Sequence, residues 1–242
     1  MKIALIGYGK MGHAIEAIAQ DRGHEIVLRI SSSSREDFSP EKLRQAAVAI
    51  EFTRPEAALE NVRQCLLAGL PVVCGTTGWN DAMPQAKAVA EASGAGFLYA
   101  SNFSIGVNIF FEINELLARL MGRQEGYEAS IQEVHHLQKK DKPSGTAISL
   151  AEQIIRASNH FKKWTLAGDA PENNMLPIDS IREDAVPGTH KVSWSSKEDT
   201  IEIIHTAHSR AGFALGAVLA AEFLDGKQGI FSMKDVLGIG GL

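Results

Sequence analysis

Cysteine is scarce in this chain. Only Cys65 and Cys74 occur, with no CxxC spacing and no histidines arranged around them, so neither a disulfide framework nor a cysteine zinc site is expected. That usage fits a reducing compartment. No stretch approaches the ~18 apolar residues that a membrane-spanning helix requires. The first residues, MKIALIGYGKMG, hold an apolar run of only four that ends in glycines rather than in a cleavage site. The expected location is therefore the cytoplasm. Positive charge is also in deficit, 24 Lys and Arg against 29 Asp and Glu for a net charge of −5, which argues against nucleic acid or an anionic membrane as the main partner. What remains is ordinary globular material: 242 residues, 45% apolar and 22% charged, enough for one large α/β domain or two modest ones.

The first hundred residues alternate short β-branched runs with helical patterns. Strands are predicted at 2–6, 25–30, 48–52, 71–74 and 96–99, with helices at 9–22, 55–68 and 82–93 between them, an order that means a parallel sheet with helical crossovers. The texture changes near Ser104: a long amphipathic helix at 105–121, an alternating strand at 128–136, and a helix at 144–157. Three strand-like runs follow at 180–183, 189–195 and 200–208, suited to an antiparallel or mixed sheet, and 211–223 is a helix of small residues expected to pack back on the first domain. Residues 158–178, polar and broken by Pro and Asn, read as a loop. The fold class is thus α/β, a Rossmann-type doubly wound parallel sheet with a second α+β mixed-sheet domain. The expected division is 1–103 plus 210–242 for the first domain and 104–209 for the second.

Directly after the first strand stands Gly7-Tyr8-Gly9-Lys10-Met11-Gly12, a GxGxxG that opens a helix. Gly7 allows a tight turn, Gly9 lets backbone approach a pyrophosphate, and Gly12 lets helix and strand pack closely, with the helix N-terminus facing the phosphates. The bland alternative is a tight structural turn. The second strand ends without the Asp or Glu that usually holds the adenosine ribose; Ser31, Ser32, Ser33, Ser34 and Arg35 stand there instead. Hydroxyls and cations suit a 2′-phosphate that an acid would repel, which favours NADPH modestly over NADH. A plain serine-rich turn is the other reading.

The densest positive patch is His135-His136-Leu137-Gln138-Lys139-Lys140-Asp141-Lys142, which runs through Pro143 into Ser144-Gly145-Thr146 at a helix start. Ser144 can cap, leaving N–H groups of Gly145 and Thr146 free, a site for carboxylates. Each part also has a bland reading, as a solvated charged loop and a surface histidine pair. Metal is not expected, because adjacent histidines on a strand point to opposite faces and no Cys or carboxylate stands at a suitable spacing.

Six segments occur in order: GYGKMG, FTRPE at 52–56, CGTTGW at 74–79, ASNFSIGVN at 100–108, EVHHLQKKDKPSGTA at 133–147 and HTAHSRAGFALGA at 205–217. Together they resemble the 4-hydroxy-tetrahydrodipicolinate reductase (dihydrodipicolinate reductase) family over the whole chain. Departures are Glu51 where the family commonly has Asp, a glycine loop shorter than in some members, and the missing ribose acid. The resemblance implies NAD(P)H-dependent reduction of a cyclic imine dicarboxylate in diaminopimelate and lysine biosynthesis, by a homotetramer, with 1–103 plus 210–242 for dinucleotide binding and 104–209 for substrate binding and oligomerisation. It implies that Gly7 to Gly12 cradle the pyrophosphate, with Thr53 and Arg54 near the cofactor. Gly75, Thr76 and Thr77 would line the nicotinamide side, and Ala100, Ser101, Asn102 and Phe103 would border the ring. His135 would be the proton donor to the enamine left by hydride addition, and Lys139 a second catalytic or charge-stabilising group. His136, Ser144, Gly145 and Thr146 would form the substrate-binding set. Arg210 is read as structural or hinge-like, and Lys140 and Lys142 as solvated. The alternatives are another two-domain Rossmann dehydrogenase of amino-acid metabolism, which should lack the HHxxK and PSGT pairing, and a nucleotide-sensing module without turnover.

Overall fold

The computed structural model describes residues 1–158, 160–168, 174–184, 186–209 and 211–239. The chain divides into two compact units, Met1–Ile105 with Ala211–Leu242, and Gly106–Arg210.

The first unit is built on strands β1 (Lys2–Ile6), β2 (Glu25–Ile30), β3 (Val48–Glu51), β4 (Val72–Cys74) and β5 (Gly96–Tyr99), joined by helices α1 (Lys10–Asp21), the short α2 (Pro40–Leu43), α3 (Pro55–Leu67) and α4 (Met83–Ser93). Near-continuous apolar strands such as KIALI are what a sheet covered on both faces demands. A long helix α5 (Ile105–Met121) then leads into β6 (Glu128–His135), α6 (Gly145–Ala157), β7 (Lys163–Leu166), β8 (Met175–Arg182), β9 (Thr189–Ser195) and β10 (Thr200–Thr206). The chain ends through α7 (Ala211–Leu224), β11 (Gly229–Phe231) and α8 (Met233–Leu237).

The first sheet is parallel, in the order β11-β5-β4-β3-β1-β2. Ala58, Val62, Cys65 and Leu66 of α3, with Ala86 and Ala90 of α4, cover one face over Ile6, Ala49, Val72 and Phe97. Ile15 and Ala19 of α1 and the small-residue face of α7 cover the other, over Ile3, Leu5, Ile50, Val73 and Leu98. Each Ile, Leu, Val or Phe among them contributes ~1.5–3 kcal/mol on leaving water, and each Ala less. The composition of α7 has a steric cause. A Cβ on Gly216 would stand 1.7 Å from the carbonyl oxygen of Phe103, so the helix lies flush on backbone.

The second sheet is mixed, in the order β10-β9-β6-β8-β7. β6 runs antiparallel to β9 and parallel to β8, which also pairs parallel with β7. One face is packed by Phe110, Ala118 and Met121 of α5 and by Leu150, Ala151 and Ile154 of α6. The reading of 158–178 as a loop needs correction, since β7 and the first residues of β8 lie within it. Leu176 and Ile178 are fully buried, but the run MLPIDSIR alternates around a proline, and that break in the β pattern hides the strand.

Candidate active site

In the first unit all five segments expected to meet a cofactor follow the C-terminal ends of parallel strands, and so line one edge of one sheet. Gly7 follows β1, and its N–H donates to Ile30 O at 2.8 Å. Its φ is +100°, and a Cβ there would overlap Phe52 O at 2.0 Å, so this turn requires glycine. Gly9 differs: a Cβ would meet nothing within 4 Å, so its surface is open. Gly9 is also the N-cap of α1, with no side-chain cap and no acid in the first turn. Lys10 is exposed, Tyr8 and Met11 half-buried, and Gly12 buried against Gly7 O, 2.5 Å from where its Cβ would be. An open glycine at an uncapped helix start fits a pyrophosphate.

Beyond β2, the serine turn closes on itself. Ser34 Oγ accepts from Ser31 N at 2.9 Å, and Ser31 and Ser33 hydroxyls bond at 2.9 Å, while Ser32 is exposed. Both flanking cations are engaged: Arg29 pairs with Glu16, and Arg35 donates to Asn61 Oδ1 at 2.8 Å. Thr53, after β3, donates its N–H to Thr76 Oγ1 at 2.7 Å, which ties the ends of β3 and β4 together; Arg54 and Thr77 are exposed. A Cβ on Gly75 would meet the Phe52 ring at 2.1 Å. After β5, Ala100 N–H donates to Cys74 O at 3.3 Å, Asn102 Oδ1 accepts from Ser104 N at 2.9 Å, Ser101 is exposed and Phe103 is buried.

In the second unit the packed sheet face changes character along its strands. Neighbouring rows read Ile178–Ile131–Val192, then Ser180–Glu133–His190, then Arg182 beside His135. The apolar core thus gives way to a buried polar row at the end of β6. Glu133 has no exposed surface. Its Oε2 accepts from His135 Nδ1, and its Oε1 lies 2.8 Å from Arg182 Nη2. Burial pushes the Glu133 carboxyl up, but the nearness of His135, Arg182 and Ser180 outweighs it and holds the group at about 2. His190 stands edge-on to His135, ring centres 5.1 Å apart, and burial together with the charge of His135 lowers it to about 3. The His190 imidazole is therefore neutral at working pH.

His190 Nε2 and Ser144 Oγ bond at 3.0 Å, and Ser144 Oγ also accepts from Ala147 N at 3.2 Å as the N-cap of α6. The cap therefore anchors the exposed Gly145 and half-buried Thr146 to the histidine cluster. Arg182 reaches further, from Nε to Lys139 O at 3.4 Å and from Nη2 to Asp141 O at 2.6 Å, which pins the loop after β6. On that loop Lys139 Nζ pairs with Asp141 at 2.7 Å, His136 is half-buried, and Lys140 and Lys142 are exposed.

Glu133, Arg182 and His190 are absent from the expected site. The signal for Glu133 is period two: a residue two before His135 on a strand shares its face. It corrects the expectation that no carboxylate stands at a suitable spacing from the histidines. Ligand atoms of Glu133, His135 and His190 lie within 4.8 Å of one another, but the guanidinium already on Glu133 makes this a carboxylate–imidazole network rather than a cation cage. Arg210 lies outside the described residues.

Two family models match the chain, "Dihydrodipicolinate reductase, N-terminus" over residues 1–103 and "Dihydrodipicolinate reductase, C-terminus" over 106–237. A 4-hydroxy-tetrahydrodipicolinate reductase of Christiangramia forsetii is 49% identical over 241 residues, 98% of each chain. One from Neisseria gonorrhoeae is 36% identical over 232 residues, 93% of this chain and 84% of the relative. Among solved structures, the dipicolinate-bound dihydrodipicolinate reductase of Paenisporosarcina sp. TG-14 shares the fold, with a TM-score of 0.81 at 22% identity over 96% of this chain and 97% of that one.

Proposed function

The chain belongs to the dihydrodipicolinate reductase family, and from that premise we propose how its residues divide the work. The protein is an oxidoreductase that reduces 4-hydroxy-tetrahydrodipicolinate to tetrahydrodipicolinate, with loss of one water, for diaminopimelate and lysine synthesis. Reductases of this family use a nicotinamide cofactor, which supplies the hydride when bound. Gly7 to Gly12 hold its pyrophosphate, and Thr53, Arg54 and Gly75 to Thr77 flank its path. Ala100 to Phe103 border its nicotinamide. Ser31 and Ser32 receive the adenosine ribose, and because no acid stands there, NADPH serves at least as well as NADH.

The observation that carries the substrate reading is the polar end of the second sheet, where His135 and the start of α6 are joined through His190 and Ser144. A proton donor and a carboxylate-binding helix start held in one cluster suit a cyclic dicarboxylate whose enamine, left when a neighbouring ring carbon takes the hydride, must gain a proton on carbon. His135 gives that proton: its N–H bond breaks as the ring C–H bond forms, and solvent reprotonates it. Gly145 and Thr146 N–H groups, with His136, bind one carboxylate. Lys139 exchanges Asp141 for the substrate and offsets its negative charge.

The reaction takes place in the cytoplasm, in a homotetramer. An exposed apolar stripe on α5, Ile109, Ile113, Leu116 and Leu120, supports association through the second unit.

The test is direct. Supplied with 4-hydroxy-tetrahydrodipicolinate, the purified protein oxidises NADPH, followed by loss of nicotinamide absorbance; no oxidation of either cofactor overturns the activity. His135→Gln keeps dinucleotide affinity and loses about 10²- to 10⁴-fold in kcat. Near wild-type kcat, with hydride transfer shown to limit the rate, moves the proton donor to Lys139.

A further inference from the structure

A carboxylate with no exposed surface costs several kcal/mol unless its charge is met. Glu133 is such a group, and it sits against Nδ1 of the His135 ring. Its partners are arranged to hold the ring. His135 Nδ1 donates to one oxygen, Arg182 pairs with the other, and Ser180 flanks it in the register of β8. The same Arg182 grips the backbone of Lys139 and Asp141, so one guanidinium braces the carboxylate and the loop that bears Lys139. On the far side of the ring there is little slack. A Cβ on Gly188 would stand 2.9 Å from His135 Nε2.

We propose that Glu133, braced by Arg182, is a positioning residue for the proton donor: it takes the Nδ1 hydrogen bond of His135, fixes the tautomer and tilt of the ring, and leaves Nε2 as the nitrogen that delivers the proton. This rests on the reading of His135 as donor. When the Nε2 of the imidazolium gives up its proton the ring becomes neutral and keeps its hydrogen on Nδ1, so reprotonation returns the proton to the same atom. The charged or titratable groups facing His135 are Glu133 on its own strand, Arg182 on β8, His190 on β9 and Lys139 on the following loop. Glu133 is the single anion among these four, so removing its charge leaves the imidazolium surrounded by cations and a neutral ring.

The experiment compares Glu133→Gln and Glu133→Asp with the wild type. In Glu133→Gln, kcat falls about 10²-fold while KM for dinucleotide and substrate holds within a few-fold, as when an orienting partner is lost. The alkaline limb of the kcat profile moves down by about one pH unit, because the protonated ring has lost its counter-charge. Nitrogen NMR of labelled histidine then finds His135 in a mixture of tautomers rather than with its hydrogen on Nδ1. Glu133→Asp keeps the charge but shortens the reach. It shows the same tautomer mixture with a smaller shift of the pH limb, and it serves as the folded variant if Glu133→Gln does not fold. Unchanged kcat, an unmoved limb and an unchanged tautomer overturn the proposal. If His135→Gln retains activity, the donor reading fails instead, and the tautomer measurement still decides whether Glu133 sets the ring.

Discussion

The two candidate sites are built from opposite materials. The glycine loop of the first works by what is missing: no Cβ at Gly7, where the Phe52 carbonyl would collide with it, and none at Gly9, which is left open. The polar end of the second sheet works by convergence. Glu133 and His135 come from β6, Arg182 from β8 and His190 from β9, with Ser144 capping α6 against them. A site made of backbone can be written as six consecutive residues. One made of side chains needs three strands in register before it exists, and it fails by charge and protonation rather than by steric overlap.

Glycine substitutions sharpen that contrast most. Gly7→Ala, facing a left-handed φ and a 2.0 Å overlap with backbone, should destabilise the first unit by at least ~3 kcal/mol. Gly9→Ala should unfold at the wild-type temperature yet bind dinucleotide more weakly. Thermal unfolding beside a dinucleotide titration separates the two, and equal melting losses would break the distinction.

Acid should act on the second unit. His190, held at about 3 when folded against ~6.5 unfolded, contributes no loss above pH 6.5, then up to ~1.4 kcal/mol of destabilisation per pH unit as pH falls toward 3. Glu133, held at about 2, adds its own loss only below ~4.3. Denaturant melts between pH 7 and 4.5 should therefore steepen through His190, and His190→Asn should flatten the slope. The smallest effect is expected at the serine turn. Ser31→Asp should shift the ratio of kcat/KM for NADPH over NADH toward NADH by on the order of tenfold, about 1.4 kcal/mol of charge repulsion. A wild type that strongly prefers NADH would contradict the premise.

Legibility followed the same divide. β1, β2 and β5 fall where the sequence pattern ends them, because a sheet covered on both faces shows as apolar runs between glycine turns. β7, the start of β8, β11 and α8 escaped notice: KWTL and GIF are too short for periodicity, and Pro177 interrupts MLPIDSIR. His135 and Ser144 stand out because they lie in one dense motif. Arg182 and His190 come from segments with no motif of their own, and their part depends on pairing partners that a linear reading does not contain. Glu133 alone was within reach, two residues from the histidine and on its face.

The flush seat of α7 also bears on how the protein is made. Ile3, Leu5, Ile50, Val73 and Leu98 are covered in part by residues 211–224, the far end of the chain. A ribosome that has released the first 105 residues has made five of the sheet's six strands but neither β11 nor the lid, and the apolar face stays open while the second unit is synthesised. That second unit is continuous in sequence and can close first. Truncation within α7 should accordingly leave a chain whose first half is sticky and whose second half is sound, a failure at the N-terminal sheet caused by a loss near the C-terminus.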